Sequence, residues 1–263
     1  MNRHIQREAI VHGEAWNSIH DGYFSDGAVA APLVGKVREL AAESRARRIV
    51  DLGGGNGFLL RQIRAAGLDP EVCLVNLDAS GAQLAAASGS GISCINGSLD
   101  AFERRDLGAE DVSTLFAMRS VLHYFGREGL HPAIRHIRKQ VRAGEFWVHQ
   151  TAAFKESRDA DCLNGLYGMM RTSKWYFTVK QMTASLEAAG WCVRDVVGGA
   201  PLALSSESLA LRYGIERDEM CLIRGRMMAD FSVPEEVLKI TDGGFCAYLH
   251  YWIYVCTPIG PGR

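Results

Sequence analysis

Paired cysteines are missing from this sequence. Cys73, Cys94, Cys162, Cys192, Cys221, Cys246 and Cys256 are scattered, with no C-x-x-C spacing. That argues against a disulfide framework and a zinc site. It fits a reducing compartment, where thiols serve as small hydrophobes. A long apolar run is missing too. Nothing approaches the roughly 18 residues of a membrane span, and the stretch from Met1 to Glu8 has no apolar signal core. Charge blocks are absent: 29 Lys+Arg stand against 30 Asp+Glu, a formal net charge of −1. Such a balance disfavours tight nonspecific binding to nucleic acid. There is no internal repeat and no low-complexity tract. The expectation is a soluble, cytoplasmic protein with no membrane or nucleic-acid partner and no metal. What is present is 263 residues, 48% of them apolar. That suffices for one α/β domain, residues 1–263, with a sizeable core.

The chain is organised around Ile49-Val50-Asp51-Leu52-Gly53-Gly54-Gly55-Asn56-Gly57-Phe58-Leu59-Leu60. A short apolar run ending in a carboxylate reads as a buried parallel strand. The glycines then make a turn, and Leu59, Leu60 and Ile63 mark a helix that stops at Gly67. A strand, a glycine turn and a helix start form a nucleotide-cofactor site: backbone N–H groups approach the ligand, and the helix end supplies unpaired donors. A tight turn without a ligand is the plainer alternative. The dinucleotide spacing G-x-G-x-x-G fails, because its third glycine falls on Phe58. The spacing D-x-G-x-G-x-G, through Asp51, Gly53, Gly55 and Gly57, fits. A carboxylate here repels a pyrophosphate but suits a ligand carrying an ammonium and a sulfonium.

This stretch resembles motif I of the class I S-adenosylmethionine (SAM)-dependent methyltransferases. The spelling Val-Asp-Leu-Gly-Gly-Gly is close to that of small-molecule, natural-product-type members. The resemblance implies a Rossmann-like, doubly wound α/β sheet of seven strands, the last antiparallel, with helical lid insertions. It also implies SAM as cofactor.

Further strands are expected at 72–78, 92–97, 112–118, 145–151 and 191–197, with helices between them. Asp78 ends the second strand, about 20 residues beyond the glycines, where a carboxylate accepts hydrogen bonds from ribose hydroxyls. It could instead cap the helix that Ala79-Ser80 opens. After Gly97 the family places an acidic residue against the adenine amine. Here Ser98, Leu99 and Asp100 follow, so Ser98, the Leu99 backbone and Asp100 all remain candidates. The fourth strand ends in Met118, a further cofactor candidate, and runs into Arg119-Ser120-Val121-Leu122-His123-Tyr124-Phe125. This resembles the Val-Leu-His motif of small-molecule methyltransferases. It lacks the Asn-Pro-Pro-Tyr or Asp-Pro-Pro-Tyr sequence of enzymes that methylate nucleobase amines.

Thr178-x-x-Gln181 is a capping box that opens a helix ending at Gly190. Residues 245–256 read as one long last strand near the sheet edge. An N-terminal helical cover (1–45, with Ile10, Val11, Trp16, Tyr23 and Phe24) and insertions at about 155–177 and 201–240 project from the ligand end of the sheet. Three aromatic- and Met-rich pieces converging there suggest a lid over a small, partly apolar acceptor. The expected activity is methyl transfer from SAM to a small molecule, on oxygen or nitrogen more readily than on carbon. His123, then His149, are the candidate general bases. Arg119, Tyr124, Tyr23, Tyr167, Arg171 and Tyr176 are candidate substrate contacts. Three alternatives are a SAM-fold protein that does not methylate, a nicotinamide oxidoreductase and a nucleic-acid methyltransferase. A homodimer is left open.

Overall fold

The structure is a computed structural model that describes residues 19–89 and 91–260. Ile10, Val11 and Trp16 of the expected cover lie outside the described residues.

Five strands form a parallel sheet in the order β3 (Ile92–Asn96), β2 (Cys73–Asp78), β1 (Arg48–Leu52), β4 (Thr114–Arg119) and β5 (Phe146–Phe154). β11 (Tyr251–Pro258) pairs antiparallel with β5 on one side and with β7 (Trp191–Gly198) on the other. The short β6 (Phe177–Thr178) pairs with the end of β5. The seven-stranded Rossmann-like sheet is therefore present. The last strand is antiparallel as expected, but it lies one place in from the edge, which β7 occupies.

The helices follow from alternation along the strands. Ile49, Leu74, Leu115 and Val148 face α1 (Gly27–Glu43) and α2 (Phe58–Ala65). Val50, Val75, Phe116 and Trp147 face α4 (Gly126–Gln140) and α6 (Val179–Ala188). Between β2 and β3 runs α3 (Gly81–Ala87). The capping box at α6 forms as the sequence predicts: Thr178 Oγ1 accepts from Gln181 N at 3.1 Å, and Gln181 Oε1 accepts from Thr178 N at 2.9 Å. Asp26 caps α1 by accepting from Ala28 N at 2.7 Å.

The two insertions build a third packed region. The first is largely a helix, α5 (Ser157–Met169), with Ala160, Leu163, Leu166 and Tyr167 buried. Gly165 lets it approach its neighbour closely: a Cβ there would stand 2.6 Å from the Phe231 ring. The second insertion holds β8 (Leu202–Ser205), α7 (Ser206–Tyr213), α8 (Arg217–Asp230) and β9 (Leu238–Thr241). The expected strand 245–256 is in fact two. β10 (Gly244–Leu249) joins β8 and β9 in a separate antiparallel sheet, while β11 enters the main one. The break falls at His250, whose Nε2 lies 2.8 Å from Glu236 O and whose carbonyl accepts from Ala153 N at 2.9 Å. Both halves are β-forming, so no composition change marks the junction.

One buried ion pair ties β4 to β5 at the end away from the glycine loop. Arg104 donates to both Glu145 oxygens, at 2.6 and 2.8 Å. The same carboxylate accepts from Thr114 N at 2.9 Å and Arg142 N at 2.8 Å. Removing the cation strands a buried carboxylate. Arg104→Met is expected to cost about 3–5 kcal/mol, measured as a lowered midpoint of denaturant unfolding.

Candidate functional site

The C-terminal ends of β1, β2 and β4 lie side by side, with Asp51 in register with Asn76 and Ala117. The glycine turn starts there. Gly53, at φ 74°, donates its N–H to Leu77 O at 2.7 Å. At Gly54 a Cβ would come within 2.5 Å of both Asp51 Oδ2 and Asn76 Oδ1. The chain can make this bend against two polar side chains only without a side chain of its own. Asn76 Nδ2 then donates to Gly55 O at 2.7 Å.

Above this turn opens a cavity with about 1060 Å³ of empty space, part of it open to solvent. Of the candidate cofactor and substrate residues, Asp51, Gly53, Gly55, Asp78, Ser98, Leu99, Arg119 and Tyr124 line it. Asp51 is only 1% exposed, and neither of its carboxylate oxygens has a hydrogen-bond partner. Burial first, and the charge of Asp78 second, push its carboxyl up to about 7, against an opposing pull from Arg119. Asp78 accepts from Gly55 N and Ser80 N, both at 2.8 Å. Burial raises its pKa, and these two bonds work against the rise. Asp78 thus braces the glycine turn and the entry to α3, while the N-cap of that helix is Ser80, not Asp78.

Arg119 closes the other side. Its guanidinium donates to Phe24 O at 3.0 Å, Tyr23 O at 3.3 Å and Gln150 Oε1 at 3.1 Å. It also sits 5.4–5.8 Å from the rings of Tyr23, Phe24 and Phe58. Burial lowers its pKa, though an arginine stays charged. Ser120 follows at φ 62°, a left-handed conformation rare outside glycine, and its Oγ lies 2.7 Å from Tyr251 Oη.

Other candidates fall elsewhere. Gly57, at φ 77°, caps α2 and stays off the cavity wall. Met118 is buried in the core beneath the sheet, away from that wall. Asp100 is hydrogen-bonded to Ser98 Oγ. Tyr23 donates to Ala200 O at 2.6 Å and stacks on Tyr251. Tyr167 and Tyr176 are buried in the insertion core. Arg171, with its side chain 81% exposed, pairs with Glu219 at 3.0 Å, so it faces solvent and links α5 to α8. Among the described residues lining the cavity, none is a histidine. His123 is buried behind the wall, its ring 4.1 Å from that of Tyr124 and 5.5 Å from that of Tyr176. His149 lies inside the sheet between Trp147 and Tyr254, with Nδ1 2.8 Å from Thr151 Oγ1. Burial lowers its pKa to about 3. The structure does not bring His149 to the cavity.

Lining residues that sequence reasoning did not single out as contacts include Phe58, Gln83, Ser120 and Val121. Phe58 and Gln83 each stand within the first turn of a helix flanking a site carboxylate, which was the available signal. Among the described residues no cluster of three or more His, Cys, Asp or Glu could hold a metal, and no helix is long and apolar enough to cross a membrane.

No protein-family model matches the sequence, and neither does any curated protein. Solved structures do match. The YcgJ protein of Bacillus subtilis aligns with a TM-score of 0.64 at 13% identity, over 90% of this chain and 100% of its own. A protein of Bacillus halodurans C-125, provisionally assigned as a methyltransferase, gives 0.65 at 12% identity, over 86% and 100%. The 4+2 cyclase SpnF gives 0.55 at 16% identity, over 87% and 82%. At such identities the likeness establishes the fold alone, a Rossmann-like α/β sheet shared with a provisionally assigned methyltransferase and a cyclase.

An ionised Asp51 costs the ligand-free fold stability. Its pKa is raised on folding, so the unfolded chain releases its proton first. The cost is absent below about pH 4 and grows as pH rises toward 7. Asp51→Asn is therefore expected to stabilise the free protein at pH 8, by on the order of 3–4 kcal/mol. The gain should vanish near pH 4, as followed by denaturant unfolding across that range.

Proposed function

We propose that this chain binds SAM and transfers its methyl group to a small-molecule acceptor. The observation that carries the proposal is the buried, unpartnered Asp51 carboxylate at the floor of a glycine-walled cavity. An uncompensated buried anion is the complement of a cationic ligand, and it is the wrong sign for the pyrophosphate of a nicotinamide cofactor. Bound there, SAM would supply an electrophilic methyl group on a positively charged sulfur.

The chain's own residues divide the remaining work. Asp51 takes the ammonium of the amino-acid portion, and Arg119 is the cation for its carboxylate. Asp78 holds the ribose hydroxyls, and the backbone from Gly53 to Gly55 shapes the approach. Ser98 and Leu99 line the adenine end, with Asp100 orienting the Ser98 hydroxyl. Phe24, Phe58, Val121, Tyr124 and Phe125 give the apolar wall that excludes water around the transferred group. His123 is assigned to positioning Tyr124. His149 stays neutral at physiological pH and is held within the sheet, so it is not assigned the role of base. The N-terminal turn (Ile19–Ser25) and the two insertions act as the lid, and the acceptor is a small molecule, with no nucleic acid or membrane.

The fold is shared with a cyclase, so fold alone does not choose between methyl transfer and a non-methylating reaction. Incubation with methyl-labelled SAM and a panel of acceptors does: label must appear in an acceptor. S-adenosylhomocysteine, which keeps the ammonium, is expected to raise the Tm, whereas NADH leaves it unchanged. Its affinity should rise about ten-fold from pH 6 to pH 8 as Asp51 ionises, and Asp51→Asn should flatten that profile and weaken binding at pH 8 at least ten-fold. Stabilisation by NADH alone, or a wild-type profile flat across pH 7, overturns the assignment.

A further inference from the structure

The turn that leaves β4 holds a pair of buried hydroxyls to which the contacts above give no role. Ser120 is buried yet lines the cavity. Its left-handed backbone is fixed by its own N–H, which donates to Gln150 O at 2.8 Å. Its Oγ lies 2.7 Å from Oη of Tyr251, the first residue of β11, which is buried and stays off the cavity wall. Burial pushes the Tyr251 phenol up to about 12, so it keeps its proton at neutral pH. The pair therefore carries two hydrogens, and among the described residues it makes one hydrogen bond. One hydrogen is left over. If Ser120 donated to Tyr251, the spare hydrogen would be the phenol's, enclosed away from the cavity, and a buried donor without an acceptor is costly. With Tyr251 donating, the spare hydrogen belongs to Ser120, whose side of the pair meets the open space.

The neighbours of this donor say what it would meet. On one side is Arg119, whose charge is felt at the Tyr251 oxygen, where it opposes the rise. On the other is Val121, which packs on the glycine turn: a Cβ on Gly53 would stand 2.8 Å from its Cγ2. An oriented O–H beside a cation, close to the turn that follows Asp51, is the complement of a carboxylate, and hydrogen bonds to an ionised acceptor are the stronger kind. Taking the cavity as the SAM site, we infer that Ser120 is a cofactor-binding residue that donates to the carboxylate of the amino-acid portion, with Tyr251 as the positioning residue that holds the Ser120 hydroxyl in its donating orientation. Arg119 supplies the charge and Ser120 the direction, while the ammonium stays with Asp51. Neither hydroxyl takes part in the bond changes.

The test titrates the full chain calorimetrically with S-adenosylhomocysteine and with its decarboxylated counterpart, S-adenosyl-3-thiopropylamine, which keeps the ammonium. The wild type is expected to bind the first roughly ten-fold more tightly or better. Ser120→Gly suits the left-handed backbone and removes the hydroxyl. It should cut that preference about five-fold while leaving the affinity for the decarboxylated ligand within about two-fold, which also certifies the fold. Tyr251→Phe should cut the preference about two- to three-fold. The double variant should lose no more than Ser120→Gly alone, because Tyr251 acts through Ser120. A wild type without the preference, a Ser120→Gly variant that keeps it, or equal weakening of both ligands overturns the inference. Additive losses in the double variant overturn the positioning role of Tyr251. Failure of both ligands to bind the wild type would instead overturn the cofactor assignment.

Discussion

The site depends on a charge left without a partner. Asp51, next to the last residue of the central strand, lies almost fully buried at the floor of the cavity and receives no hydrogen bond at either oxygen. An isolated buried carboxylate is among the costliest groups a fold can hold, and proteins usually neutralise or pair it. Here the nearest relief comes from proton uptake, which is why its pKa moves toward neutrality. The surroundings maintain the tension: Asp78 adds a second negative charge, and Arg119 is turned to other partners. A complementary cation entering the cavity would offset this cost on binding.

Arg119 explains how the cavity acquires its cover. Its donors reach the carbonyls of Tyr23 and Phe24 on the N-terminal turn and the side chain of Gln150 on β5. One guanidinium thus fastens a segment from the start of the chain onto the middle of the sheet, with aromatic rings stacked around its faces. Tyr23 continues the connection to Ala200 O, beside the second insertion. The cover, the sheet and the insertions meet through this residue, and a ligand carboxylate that engaged Arg119 would compete with its hold on the cover.

The glycine stretch, the five parallel strands and both site carboxylates were legible in the sequence because their signals are local. Turn chemistry, apolar runs and a carboxylate at a strand end each need only a few neighbouring residues. The rest failed where the deciding partner is remote. α5 carries two internal glycines that weaken its helical signal, and the reason for Gly165 is Phe231, far along the chain. The division of 245–256 at His250 is set by which of two sheets each half joins, and both halves are equally β-forming. Arg119 looked like a substrate contact, yet its present partners are backbone carbonyls about 95 residues away, which no spacing rule reaches.

His149 and Met118 show a different kind of miss, one that strand parity settles. Successive side chains on a strand point to opposite faces. Asp51, Asn76, Asp78, Ala117, Arg119 and Gln150 are linked by the sheet register, Asp51 with Asn76 and Ala117, and Arg119 with Gln150, so they share the α1 and α2 side. Met118 is in register with His149, one residue out of phase. Both therefore point into the core under α4 and α6, where His149 is sandwiched between Trp147 and Tyr254. A strand-end position is necessary for a site residue but not sufficient; it must also share the parity of the glycine loop's carboxylate. By that criterion Gln150, not His149, is the β5 residue turned toward the site, and its contact with Arg119 is the physical consequence.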